Sequence, residues 1–267
     1  MDTAFSFGKI SESVKKQKRA NMQFIYLIIL GVLAGIVAAV ASMASLVSYP
    51  GLLLFGLSPV SANMTNTAAL VTTGFGSLSS YLKEMRGNWG ELWRYAFFQL
   101  TGALIGGWLL VKFPGKIFQK LVPFFVLFSA GLLLYSGRQK QPKQATKLGR
   151  IGAYFGLFVA GIYAGYFGAA SGVLTLIFLT ALSDSSFVVI NAIKSVIGSL
   201  ANLVALALFA FKGVVNWPVA FPLAIGLFIG GYFGQKMIKY LKPAWVRWIT
   251  ACFSVLLAIY LGWRAWG

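Results

Sequence analysis

The sequence predicts an all-α polytopic membrane protein of about eight transmembrane helices, built as two four-helix repeats whose first run is broken in each case. Three observations carry this expectation. Apolar residues far exceed what a soluble domain holds, they group into runs long enough to cross a bilayer, and the same order of motifs recurs in the two halves. Apolar residues make up 58% of the 267 and charged ones 10%, against about 45 to 50% and about 25% in a soluble domain. So few charges cannot cover a water-facing surface.

The apolar runs fall near residues 24–57, 60–82, 92–111, 118–136, 151–182, 187–211, 215–236 and 244–265. A run of about 18 or more suffices to cross a hydrocarbon core of about 30 Å. The one strongly polar stretch, Arg138 to Arg150, divides the runs into two sets of four. The expected organisation is a cytoplasmic tail at 1–23, a first repeat at 24–137, a basic cytoplasmic linker at 138–150 and a second repeat at 151–267. Lys15, Lys16, Lys18 and Arg19 precede the first run as they would in a secretory signal. A signal's apolar region is only about 7 to 15 residues long. This run is longer and recurs later, so it reads as a retained span.

The two sets match motif by motif. Ala34-Gly35-Ile36 pairs with Ala160-Gly161-Ile162 and Ala44-Ser45 with Ala170-Ser171 at an offset of 126. Asn63 pairs with Asn191 at 128, and Ile105-Gly106-Gly107 with Ile229-Gly230-Gly231 at 124. The first run of each half, continued as one helix, would be about 50 Å long and overshoot the bilayer. Each must break, and Ala41 to Gly51 and Gly165 to Val173 hold the serines and glycines that tolerate a break. The break is either a bend in one span or the tip of a re-entrant hairpin. Eight full spans with a cytoplasmic N-terminus put fifteen basic residues inside and seven outside, whereas two hairpins put ten against twelve. The positive-inside rule therefore favours eight spans and parallel repeats related about the membrane normal.

Charge and residue types exclude several function classes. The net charge of +18 would point to nucleic acid in a soluble protein, but here the basic residues flank apolar runs, where they set topology and meet anionic lipid headgroups. The chain has no histidine, one cysteine and five acidic residues, all five in expected tails or loops. That leaves no material for a metal site, a catalytic triad or a carboxylate dyad, and none for the buried carboxylates that hold a transported cation. No cofactor, metal or enzyme activity is expected.

The expected membrane interior does contain one cation, Lys194, seven residues into the sixth run, with Asn191 three residues before it. A charge at that depth is costly and marks function by default, although a lysine can also snorkel to the headgroups along its stem. The matching stretch of the first half carries Asn63 and Asn66, with Asn66 at the position of Lys194. These amides are candidates either for orienting a substrate or for joining helices by hydrogen bonds. Ser42, Ser45 and Ser171 flank the two breaks, where the next half-helix presents free N–H groups and the positive end of its dipole.

The sequence also resembles the sulfite exporter TauE/SafE family of membrane transporters across residues 24–265. The resemblance lies in the duplicated alanine- and glycine-rich first run and in NAIKSVIGSLANLVALALFAFKGVVNW of the second half. Ser42-Met43-Ala44-Ser45 replaces the family's glycine cluster in the first half, while Gly165, Gly168 and Gly172 remain in the second. The resemblance implies movement of small sulfur-containing anions, sulfite or organosulfonates, across the cell membrane, usually outward.

The expectation is thus a multi-pass transporter of a small oxyanion in the cell membrane, with its substrate at Lys194, Asn191, Asn63, Asn66, Ser42, Ser45 and Ser171. Its expected partners are that anion and anionic lipid headgroups, with a homo-oligomer allowed and no nucleic acid. The competing class is a non-transporting membrane subunit or scaffold.

Overall fold

The computed structural model describes residues 3–41, 43–81, 85–113, 115–136, 146–211, 214–237 and 243–266. They form ten helices: α1 (Thr3–Ala41), α2 (Ser45–Leu54), α3 (Pro59–Tyr81), α4 (Trp89–Lys112), α5 (Lys116–Ser136), α6 (Lys147–Tyr166), α7 (Ser171–Leu182), α8 (Phe187–Ala210), α9 (Trp217–Met237) and α10 (Pro243–Trp266). No strand occurs among the described residues. The protein is an all-helical polytopic membrane protein. Seven helices are long and apolar enough to cross a bilayer: α1 through Gln17–Ala39, α4, α5, α6, α8, α9 and α10. α3 is 23 residues long but more polar, with two asparagines and four threonines. The tail ahead of the first span is helical from Thr3 and continuous with it.

Both first runs break where expected, after Ala41 and after Tyr166. The sense of the break is not the one the charge count favoured. Tyr26 Oη donates to the carbonyl of Gly51 at 3.1 Å, and its ring stacks on Phe55 with centroids 6.1 Å apart. Had α2 continued the direction of α1, Gly51 would lie more than about 35 Å from Tyr26. In the second half Arg150, at the start of α6, donates to the carbonyl of Leu182, at the end of α7, at 3.2 Å. Each first run is therefore a long helix followed by a short one that doubles back to the face it came from.

This changes the relation between the repeats. Ser61 donates to the Val214 carbonyl, Thr65 accepts from the Asn216 amide, and Thr72 donates to the Ala224 carbonyl. Rising numbers on both sides mean that α3 and α9 run in parallel. Gly31, Gly35 and Gly234 pack in the same rising order between α1 and α9. α1 and α3 thus share a direction, which requires the intervening hairpin. Lys120 near the start of α5 lies over the ring of Trp266 at the end of α10, so the matched helices α5 and α10 are antiparallel. The halves are inverted relative to each other, not parallel. The count of ten basic residues against twelve applies, and its near-equality is why the positive-inside rule pointed to the wrong topology.

The halves are also interleaved. α1 packs along α9 and α4 along α6, each pair uniting a helix from either half. Gly102 and Gly106 of α4 face Gly161 and Gly165 of α6, as Gly226 and Gly230 of α9 face Gly31 and Gly35 of α1. A Cβ at Gly106 would collide with the carbonyl of Ile162 and the amide of Tyr166. Backbones this close gain dispersion that larger residues would prevent. Gly106→Val is expected to cost at least about 1–3 kcal/mol through overpacking, read as a lowered midpoint of thermal unfolding in detergent. Gly131→Val, where a Cβ meets nothing within 4 Å, is the matched control. Outside these seams the helices turn Phe97, Phe155, Leu256 and Trp263 outward, an apolar surface suited to lipid.

Candidate functional site

The two hairpins enter from opposite faces and their tips meet inside the bundle. Between them lies a cavity of about 140 Å³. One wall is a polar stripe on α8, made by Asn191, Lys194, Ser195, Gly198, Ser199 and Asn202. These positions recur at three- and four-residue spacing, so they share one helix face. α8 runs from 187 to 210, which puts Gly198 and Ser199 at its middle and the cavity near the depth of the bilayer centre. Thr73 and Leu70 of α3 and Gly231 of α9 add to the lining.

Lys194 is buried, with 7% of its surface exposed. Its Nζ donates to Asn191 Oδ1 at 2.6 Å, while Ser195 Oγ donates to the Asn191 carbonyl at 2.9 Å. The ammonium is held inside the bundle beside the cavity and does not snorkel to a headgroup region. The amide of Asn191 fixes where the charge sits.

The tips supply the opposite wall through Met43, Ala44 and Ser45 from the first hairpin and Gly168, Ala170, Ser171 and Gly172 from the second. The second tip turns with Gly168 at φ 81° and Ala170 at φ 62°. A left-handed alanine costs about 1–2 kcal/mol, so surrounding bonds must hold it. Ser129 of α5 donates to the Ala169 carbonyl at 3.0 Å and bonds Tyr163 Oη at 2.7 Å, and Ser171 Oγ donates to the Gly168 carbonyl at 2.9 Å. At the first tip Ser48 Oγ donates to the Ala44 carbonyl at 3.1 Å.

Both short helices start at the cavity, α2 at Ser45 and α7 at Ser171. The amides of Leu46 and Val47 close turns onto Met43 and Ala44, and those of Ser171 and Val173 onto Gly168 and Ala170, while each helix N-terminus still carries about half a positive charge. Two such ends and one buried lysine therefore bound a single small space. That arrangement attracts an anion and repels a cation.

Lys194, Asn191, Ser45 and Ser171, singled out in the sequence, border this one cavity. Asn63 and Asn66 do not line it. Asn66 accepts from Ser48 Oγ at 2.6 Å and donates to Ser45 Oγ at 3.1 Å, so it pins the first hairpin from behind. Asn63 Nδ2 donates to the Tyr166 carbonyl at 3.0 Å, at the end of the helix that leads to the second tip. Ser42 lies outside the described residues. Ser199 was not among the residues singled out in the sequence, and Gly172 and Met43 appeared there only as members of the break segments, not as site residues. The polar stripe through Ser199 was a usable signal, whereas Met43 and Gly172 carry none that distinguishes them from packing residues.

Residues 27–261 match the model of the sulfite exporter TauE/SafE family. The chain belongs to that family. Among curated relatives, a "Probable membrane transporter protein" of Haemophilus influenzae is 24% identical, over 85% of this chain and 89% of its own. The "Probable membrane transporter protein YfcA" of Escherichia coli K12 is 21% identical, over 88% of both chains. The Bacillus subtilis "Probable membrane transporter protein YunE" is 22% identical, over 90% of this chain and 97% of its own. No solved structure matches the chain. The TauE/SafE member described here is thus a membrane transporter by family.

Proposed function

We propose that this protein is a secondary transporter, working as an exporter, of a small sulfur-containing oxyanion such as sulfite or an organosulfonate. One observation carries the reading: Lys194 and the N-termini of α2 and α7 converge on a cavity of about 140 Å³ near the middle of the bundle. The family's description names sulfite. An oxyanion there accepts hydrogen bonds from the ammonium and from the Ser45 hydroxyl, within the positive field of the two helix N-termini. A space of this size suffices for a small anion.

Access to the site alternates by relative motion of two interleaved units, one built on α1 and α9 and the other on α4 and α6. The glycine seams make each pair move as one body. The cavity sits where α3 of one unit meets α8 of the other. The N-terminus lies in the cytoplasm of a cell-membrane protein, because five basic residues precede the first span and the first helix usually dominates orientation.

Ligand that binds only the native state raises its stability, by about 2.7 kcal/mol at a hundred times the dissociation constant. Purified protein is expected to gain thermal stability with sulfite or a short sulfonate, and none with the chloride salt of the same cation at equal ionic strength. Sealed vesicles holding the protein are expected to release the same anion. Absence of both effects across a panel of oxyanions would make the chain a scaffold.

A further inference from the structure

A larger cavity, about 370 Å³, lies on the outside of the bundle, where α2 approaches α5 and α10. Its walls are apolar: Pro50, Leu53 and Leu54 of α2 face Val122 of α5 and Phe253 and Leu257 of α10. Polar groups gather at one end only, where Gln119, Tyr260 and Arg264 complete the lining. That end lies on the face from which α1 starts, because α10 finishes there and α5 begins there. One residue beyond the lining, Lys120 sits 4.8 Å from the ring of Trp266. From Phe253 to Arg264 the groove follows α10 for about 16 Å, close to the hydrocarbon depth of a single leaflet, about 15 Å.

We infer that this groove is a binding site for one anionic phospholipid, with an acyl chain between α2 and α10 and its phosphate at Arg264 and Lys120. The depth fits one chain of one leaflet. The two cations at the mouth match an anionic headgroup, and a zwitterionic lipid gains less from them. The groove wall is the re-entrant helix itself. The same α2 presents Ser45 to the central cavity, so the lipid braces the arm that helps to form the substrate site. This assignment is independent of which anion the central cavity carries.

Native mass spectrometry of delipidated protein titrated with phosphatidylglycerol or phosphatidylcholine tests it. Wild type is expected to hold one phosphatidylglycerol tightly. Removing one surface charge weakens such an attraction about fivefold, so the double variant Lys120→Gln, Arg264→Gln should lose about 25-fold and bind both lipids alike. Arg86→Gln, elsewhere on the surface, should bind as wild type does. Leu257→Trp, which fills the groove, should abolish the tight site. Equal binding of the two lipids by wild type, or unchanged phosphatidylglycerol binding in the double variant, overturns the assignment. A wild-type dimer that Leu257→Trp dissociates would give the groove to a second copy and also overturns it. The charge-pair result stands alone if the tryptophan variant does not fold.

Discussion

Lys194→Gln is expected to lower anion flux in proteoliposomes about ten- to hundredfold, since a hydrogen bond to a charged group contributes about 1.5–3 kcal/mol. The same substitution should leave the protein as stable as wild type or more so. A buried ammonium carries a desolvation cost that neutral glutamine avoids, and glutamine still reaches Asn191, three residues away on the same helix face. Loss of flux with stability retained separates a substrate-binding lysine from one that only joins helices, whose loss would lower both together. Lys194→Arg keeps the charge but adds bulk beside a cavity of about 140 Å³. It should recover part of the flux for sulfite and less for a sulfonate. Wild-type flux in a folded Lys194→Gln variant would remove this residue from the mechanism.

A cysteine at Thr146, the N-cap of α6, is expected to react with a membrane-impermeant maleimide from the side opposite to one at Gln17 in α1. Eight spans with bent first runs would put both positions on one side. The inverted arrangement, fixed by the Tyr26 and Arg150 contacts, separates them. Cys252, exposed on the bundle surface, must first be changed to serine. Labelling intact cells and then inverted vesicles gives an all-or-none readout at each position. Labelling of both cysteines from the same side would restore the bent-span topology.

Most of the fold was readable from residue types and spacing. The helical spans follow from run length, and the breaks follow from runs too long for a bilayer. The motif offsets put glycines at matching positions of α4 and α9, and in both helices those glycines meet another backbone closely. The sense of each break was not readable, because it depends on contacts between residues some 25 to 32 positions apart, which local sequence does not encode. Charge counting failed for a related reason: an inverted duplication spreads its basic loops over both faces.

At the site, Lys194 stood out because a lone cation in an apolar run has few structural explanations. Asn63 and Asn66 were ambiguous, since the same amide serves as ligand or as interhelical bond. The structure gives both to the hairpins: Asn66 reaches the cavity only through Ser45, and Asn63 ends on a helix carbonyl. Ser199 and Thr73 take their places from the meeting of α3 with α8, a tertiary event.

Under the proposed mechanism, two like halves related by inversion could each take the conformation of the other. With identical sequences, such an exchange would connect two states of equal energy, open to opposite sides. In this chain the exchange is not between equals. Lys194 faces the cavity where its counterpart Asn66 is bound to Ser45 and Ser48, and the first half has Ser42, Met43 and Leu46 where the second has Gly168, Ala169 and Gly172. In the proposed alternation of access, the duplication would supply the two states and its sequence differences would set which of them the resting protein favours.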